Sequence, residues 1–218
     1  MSHIQATGFY MIHPSGTAAV KYGLQYNYYA VASGKLAPSG WHVPTKAEFD
    51  TMASDLGGYA GLSEKLREVG TAYWTSPNTG ATNESGFTGR GGGYRDYSTG
   101  VFTGLGIYSY YLTSTAPYGV YMLGVHRDNN EEMNQFFKSQ GASVRLIKDD
   151  STNPGTMTDY DGNVYPTIKI GDQVFMAASL IVTHYNDGTP ILEVTDNDEW
   201  VALTAGALCA YDNDWDNV

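Results

Sequence analysis

Five of the fifteen residues from Ile107 to Tyr121, IYSYYLTSTAPYGVY, are tyrosines; nearly all the others are small, and none is charged. Two kinds of chemistry use that composition. Tyrosine has high strand propensity and sits well on a half-buried pleated surface. It also supplies contact area at low entropic cost while Ser, Gly and Asn supply adaptable hydrogen bonds, which is how binding loops are composed. The stretch by itself leaves both readings open. Catalytic spacings are missing elsewhere: His3, His13, His42, His126 and His184 stand far apart with no H-x-x-x-H or H-x-E pattern. There is no G-x-S-x-G elbow, and the glycines between positions 89 and 93 fit neither a dinucleotide fingerprint nor a P-loop, so GRGGGYR reads as a tight backbone turn. The single cysteine, Cys209, excludes an internal disulfide framework and a cysteine-rich zinc site, and its apolar setting TAGALCAY suits a small buried hydrophobe. TDYDGN at 158–163 and DNDWDN at 212–217 resemble the first half of a calcium loop but lack its closing glutamate. Turns built by Asp and Asn explain them at least as well. The expectation is no catalytic residue, no metal site and no cofactor, calcium being the one candidate that the acidic turns raise.

The elements that must position the tyrosines can be read around them. Thr45 followed by Glu48 forms a capping box, Phe49, Met52, Ala53 and Leu56 repeat at helical spacing, and Gly57-Gly58 stops the helix. LSEKLREVG predicts a shorter helix with Leu62, Leu66 and Val69 on one side, and TDNDEWVALTAG a third, capped by Asp196 with Trp200 and Leu203 facing inward. From about residue 70 to 140, glycine and turn formers predict irregular loops with brief strands. Long loops inside a compact domain are usually functional. ASVRLIK is strand-like, and Ile168, Ile170, Val174 and Phe175 around GDQ predict a hairpin. At 218 residues the chain suits one large domain, which we expect, or two small ones. The formal charge of -11, with 12 unclustered Lys and Arg, argues against nucleic acid and other polyanions. No run of about 18 apolar residues predicts a membrane span. MSHIQATGFYMIHPSG lacks a basic region followed by an apolar one, so no secretion signal is expected.

Specific phrases then carry a resemblance: YGLQYNYYAV, GKLAPSGWHVPTKAEFDTM, TNESGF, GGGYRD, SVRLIK, YDGNVYPTIKIGDQVFMAASL and THYNDGTPI. Together they are similar to the Fibrobacter succinogenes major paralogous domain, a family common in Bacteroidetes and their phages. The family is related to the C-type lectin-like fold, in the branch that includes formylglycine-generating enzymes and the variable proteins of diversity-generating retroelements. The resemblance runs from Lys21 to Val218 but in rotated order. In the family, the segment like Tyr160–Leu180 comes first and the phrase like Ser143–Lys148 closes the domain. The expected organisation is therefore an extension over 1–20 for attachment or oligomerisation, the family's C-terminal half over 21–148, a linker over 149–158, and the family's N-terminal half over 159–218. Circular permutation within one chain is expected, because it is tolerated where original termini lie close together at the surface. The alternative is that 159–218 completes a neighbouring subunit.

The resemblance implies an α+β, C-type lectin-like domain with a small twisted antiparallel sheet, two to three helices and a large loop-rich face. Arg145 would anchor polar loop groups or serve the core alone. In the retroelement-associated relatives the variable, ligand-binding residues lie between the GGYR turn and the SVR strand. Mapped onto this chain they are Asp96, Tyr97, Tyr108, Tyr110, Tyr111, Tyr118, Tyr121, His126, Asp128 and Asn129. The function this implies is receptor recognition or adhesion, on a phage tail or other virion appendage, toward a bacterial surface glycan or protein, with retroelement diversification and a homo-oligomer such as a trimer. A virion or extracellular surface is the expected location. The alternatives are a structural domain decorating a virion or surface fibre, with its tyrosines buried between subunits, and a hydrolase. Formylglycine chemistry needs a cysteine pair, which the lone Cys209 cannot supply.

Overall fold

The computed structural model describes residues 20–128, 131–150 and 153–218. The expected extension over 1–20, apart from Val20, and Asn129 of the expected binding face lie outside the described residues. In chain order the elements are β1 (Gln25–Tyr26), α1 (Tyr28–Ala32), β2 (Trp41–His42), α2 (Lys46–Asp55), α3 (Leu62–Leu66), β3 (Gly92–Arg95), β4 (Phe102–Leu105), β5 (Tyr108–Leu112), β6 (Val120–His126) and β7 (Glu131–Phe136). They continue with β8 (Ile147–Lys148), β9 (Thr156–Thr158), β10 (Val164–Ile170), β11 (Gln173–Met176), β12 (Leu192–Glu193), α4 (Asn197–Ala202) and β13 (Ala207–Cys209), followed by two short 3-10 turns. The class is α+β: short helices against three curled sheets in which nearly every pairing is antiparallel.

Local sequence explains the helices. In α2 the Thr45 hydroxyl accepts from Glu48 N at 3.2 Å and the Glu48 carboxylate accepts from Thr45 N at 2.7 Å, so two donors left over at the helix start are satisfied reciprocally. Phe49, Met52 and Ala53 are buried, and Gly57, at φ +95°, ends the helix in the left-handed region that glycine adopts without strain. In α4, Asp196 accepts from Glu199 N at 2.9 Å and Trp200 is fully buried. The helix expected through LSEKLREVG stops at Leu66, because Arg67 turns into extended backbone to bury its guanidinium, and Val69 is consequently 61% exposed. Sequence pattern did not reveal α1, a single turn capped by Asn27.

The sheets run β1-β13-β12, β2-β8-β11-β10-β9 and β4-β3-β5-β6-β7. The GDQ hairpin forms as expected, with Ile170 opposite Gln173 across β10 and β11 and Gly171 at φ +57° in the turn. Residues 92–136, expected as loops with brief strands, instead carry a five-stranded sheet whose two faces pack into different clusters. On β5 and β6, Tyr111, Leu123 and Val125 join Phe49, Leu66, Phe87 and Phe175 on the helix side. Tyr110, Leu112, Val120 and Met122 join the cluster containing Leu24, Tyr26, Leu146 and Met176 on the other. This alternation follows from the two-residue period of a strand.

Residues from Thr156 onward pack on the rest of the same chain. Phe175 of β11 pairs with Ile147 of β8, and Gln25 of β1 with Cys209 of β13. At the seam Lys21 N donates to Val218 O at 2.5 Å and Tyr22 N to Asn217 O at 3.2 Å. Among the described residues no helix is long and apolar enough to cross a membrane.

Candidate ligand-binding site

Three of the residues expected at the binding face meet on one side of the β4-β3-β5-β6-β7 sheet. Tyr108 and His126 are cross-strand partners, with ring centroids 4.9 Å apart, and the Tyr110 ring lies 5.7 Å from that of His126. Tyr110 sits opposite Gly124, which carries no side chain. Two aromatics that the sequence reading did not select complete the group: Tyr94 from β3 and Phe136 from β7, edge-on to Tyr110 at 5.4 and 5.1 Å. Edge-to-face rings at these separations gain about 0.5–1.5 kcal/mol per pair beyond area burial. Tyr110 and His126 form the floor at 8% and 9% exposure, and Tyr94, Tyr108 and Phe136 are half-buried around them. Burial raises the Tyr94 phenol above its ordinary value, and the Asp96 and Tyr108 charges add to this, so it remains a hydroxyl donor at neutral pH.

The other expected residues lie elsewhere or act differently. Tyr111 is fully buried on the opposite face, edge-on to Phe87 at 5.2 Å and 5.4 Å from the Arg145 guanidinium, so it is a core residue that no ligand reaches. The Asp96 Oδ1 atom accepts from Ser98 N and Oγ at 3.0 and 2.7 Å and from Thr99 N and Oγ1 at 3.0 Å. Although burial opposes it, those donors lower the Asp96 pKa; the carboxylate builds its own turn. Tyr97 stacks on Phe137 at 3.9 Å, and Phe137 is 60% exposed. Tyr118 is 93% exposed in the β5–β6 connection, Tyr121 lies half-buried under Lys46, and Asp128 is exposed in the turn after β6. Tyr94 was legible in principle, since Gly92 and Tyr94 alternate on one strand face. Phe136 was not, because the strand EEMNQF is polar at most positions.

Burial pushes the Cys209 thiol up to about 12, so it stays protonated and unreactive. In TDYDGN, Asp159 accepts from Asn163 N and Nδ2 and from the Tyr165 hydroxyl at 2.9, 3.0 and 2.6 Å. Asp161 accepts from Thr183 N and from His184 Nδ1, both at 2.6 Å. These carboxylates hold the turn together and tie it to Tyr165 of β10 and to the loop at Thr183 and His184.

A family model described as the Fibrobacter succinogenes major domain matches residues 3–148, more than half of the chain. The chain belongs to this family. No curated protein and no solved structure matches it. The Fibrobacter succinogenes major domain match contains all five residues of the aromatic face. It takes in most of the stretch read as an extension, and it ends at Lys148, ahead of the strands β9 to β13.

Proposed function

We propose that this chain is a ligand-recognition module without catalytic activity, a C-type lectin-like domain in circularly permuted order that engages its ligand on the aromatic face. The observation that carries the reading is the convergence of Tyr94, Tyr108, Tyr110, His126 and Phe136 on one sheet face, rings packed on rings with three of them open to solvent. Such a platform is pre-organised: its rotamers are fixed before binding, so little side-chain entropy is lost on contact. Aromatic anchors of this kind dominate recognition surfaces. The ligand we propose is a bacterial surface glycan or protein, met by a receptor-binding or adhesion domain on a phage tail, virion appendage or extracellular surface, with diversification of the face by a retroelement. The basis for these finer assignments is the resemblance to retroelement-associated proteins. No metal or other cofactor enters the reading.

The test is binding of the intact protein to glycan arrays and to whole bacterial cells, repeated with Tyr108→Ala and Phe136→Ala. Each substitution should weaken binding by about 2 kcal/mol, roughly thirtyfold, while Tyr160→Ala on another surface leaves it unchanged. Unchanged binding in both aromatic variants would move the site elsewhere. A second reading, a structural subunit of a fibre, is favoured by the exposed Phe137 stacked on Tyr97. Under that reading the protein is a stable oligomer, a trimer for example, and Phe137→Glu dissociates it in sedimentation.

A further inference from the structure

The loop carrying residues 71–76 and the β4–β5 turn border an open cleft of about 410 Å³, lined by Tyr22, Tyr73, Trp74, Thr75, Leu105 and Gly106 among others. This is within the size range of small-molecule sites. Its walls are fastened together. Gly106 O accepts from Thr75 N at 2.8 Å and from Thr75 Oγ1 at 2.9 Å, and Gly106 N donates to Gly91 O at 2.7 Å. A Cβ at Gly91 would lie 2.7 Å from Gly106 Cα and 3.0 Å from the Trp74 ring, so glycine is what permits this approach. Trp74 is buried beneath, its indole N–H donating to Gly89 O at 2.9 Å.

The lining carries no charged side chain although the chain as a whole has a formal charge of -11. The cations nearby are already engaged. Arg90 stacks on Tyr73 with its guanidinium 3.7 Å from the ring centroid, and its donors go to Glu68 and to the carbonyls of Val20 and Lys21. Arg127 donates to Thr75 Oγ1 at 2.6 Å and to Ser76 O at 3.3 Å. The lining residues that carry hydroxyls include Tyr22 and Tyr73, whose rings meet edge to face at 5.8 Å, with Thr71 and Ser76. Among the described residues the two phenol oxygens have no hydrogen-bond partner. Burial, with the nearby Tyr73, raises the Tyr22 phenol against the pull of Arg90, so its hydroxyl stays available as a donor.

We infer that this cleft is a subsite for one uncharged sugar unit. A pyranose matches it on each count: small volume, no net charge, several hydroxyls to exchange hydrogen bonds with phenols and alcohols, and an apolar ring face for Leu105 and the aromatic edges. The site is independent of the sheet-face reading above.

The experiment is saturation-transfer NMR and tyrosine fluorescence on the full chain. Methyl α-glucoside and N-acetylglucosamine serve as neutral probes, and N-acetylneuraminic acid and glucosamine as charged ones. A neutral sugar should bind with a millimolar dissociation constant, and the charged pair should bind more weakly. Ala72→Glu, a substitution at an exposed wall position, should weaken binding at least tenfold. Tyr73→Phe, which keeps the stack on Arg90, should weaken it several-fold through the lost hydroxyl. Failure of both neutral sugars to bind at about 20 mM, or equal binding by Ala72→Glu, overturns the inference. Phe136→Ala is run in parallel: loss of sugar binding there but not in Ala72→Glu places the sugar on the sheet face and also overturns it.

Discussion

Three arginines, Arg67, Arg95 and Arg145, are among the most deeply buried side chains, and each donates to several backbone carbonyls. Arg145 donates to the carbonyls of Phe87, Thr88 and Met176, which fixes the loop entering the five-stranded sheet. Arg95 reaches Gly100, Val194, Thr195 and Asp196 carbonyls and the Asn197 side chain while lying 4.4 Å from the Trp200 ring. Removing it strands several buried acceptors at once. Arg95→Met should cost about 3–4 kcal/mol in urea denaturation, and Arg95→Lys should recover only part, because a lysine cannot reproduce the fork. His42 makes a different prediction. Burial alone would lower its pKa, but hydrogen bonds to Asp149 at 2.6 Å and Glu48 at 2.9 Å, with their charges, raise it above its ordinary 6.5. A raised folded pKa means that the imidazolium's contribution to stability is complete below that ordinary value and is lost as pH rises through the folded one. Denaturation midpoints between pH 5 and 9 should therefore show a fall that His42→Gln abolishes; an identical profile in the variant would show that another group is responsible.

At the scale of elements, α2 was readable residue by residue because its cap, its apolar spacing and its glycine stop all act within one stretch of chain. Thr45→Ala removes the acceptor for Glu48 N and should cost about 1 kcal/mol, with Thr45→Ser close to neutral, measured by thermal unfolding. The tyrosine strand shows what such local reading misses. Its period of two placed alternate residues on opposite faces, but which face is open depends on what packs there. Tyr111 faces α2 and α3 and is sealed under Phe87, whereas Tyr108 on the opposite face stays half-buried. The strands around it were hidden by their glycines: Gly93 and Gly104 read as turn residues yet lie within β3 and β4, where a ring or the backbone of a neighbouring strand comes close.

Across the whole molecule, the stretch from Thr156 to Val218 supplies three strands (β9, β10 and β11) of one five-stranded sheet, two strands of the small sheet and the Trp200 anchor beneath Arg95. The Lys21–Val218 hydrogen bond brings the two ends of the stretch 21–218 together. If the order is a permutation, the break is movable. A chain running from Thr156 to Val218, through a short Gly-Ser bridge, then from Lys21 to Lys148 should fold to a monomer. It should show the same near-UV circular dichroism, with a stability change of no more than about 1–2 kcal/mol, since loop-closure cost depends only weakly on where the loop is cut. Recovery only as an intertwined oligomer would show instead that the last third completes a neighbour.

What the sequence determined by itself was the family, the α+β class, the capped helices and the GDQ hairpin, because each rests on phrases or on spacings shorter than about fifteen residues. It also located the stretch of chain in which the aromatic residues lie. Tertiary structure decided which rings meet. Tyr94, Tyr108, Tyr110, His126 and Phe136 are spread over more than forty positions and converge only through the pairing β3-β5-β6-β7. Tertiary structure likewise decided that Tyr111 belongs to the core and that Asp96 is consumed by its own turn. The physical reason is common to these cases. Whether a side chain is available to a ligand depends on burial and on competing hydrogen-bond partners, and both are set by residues distant in the chain.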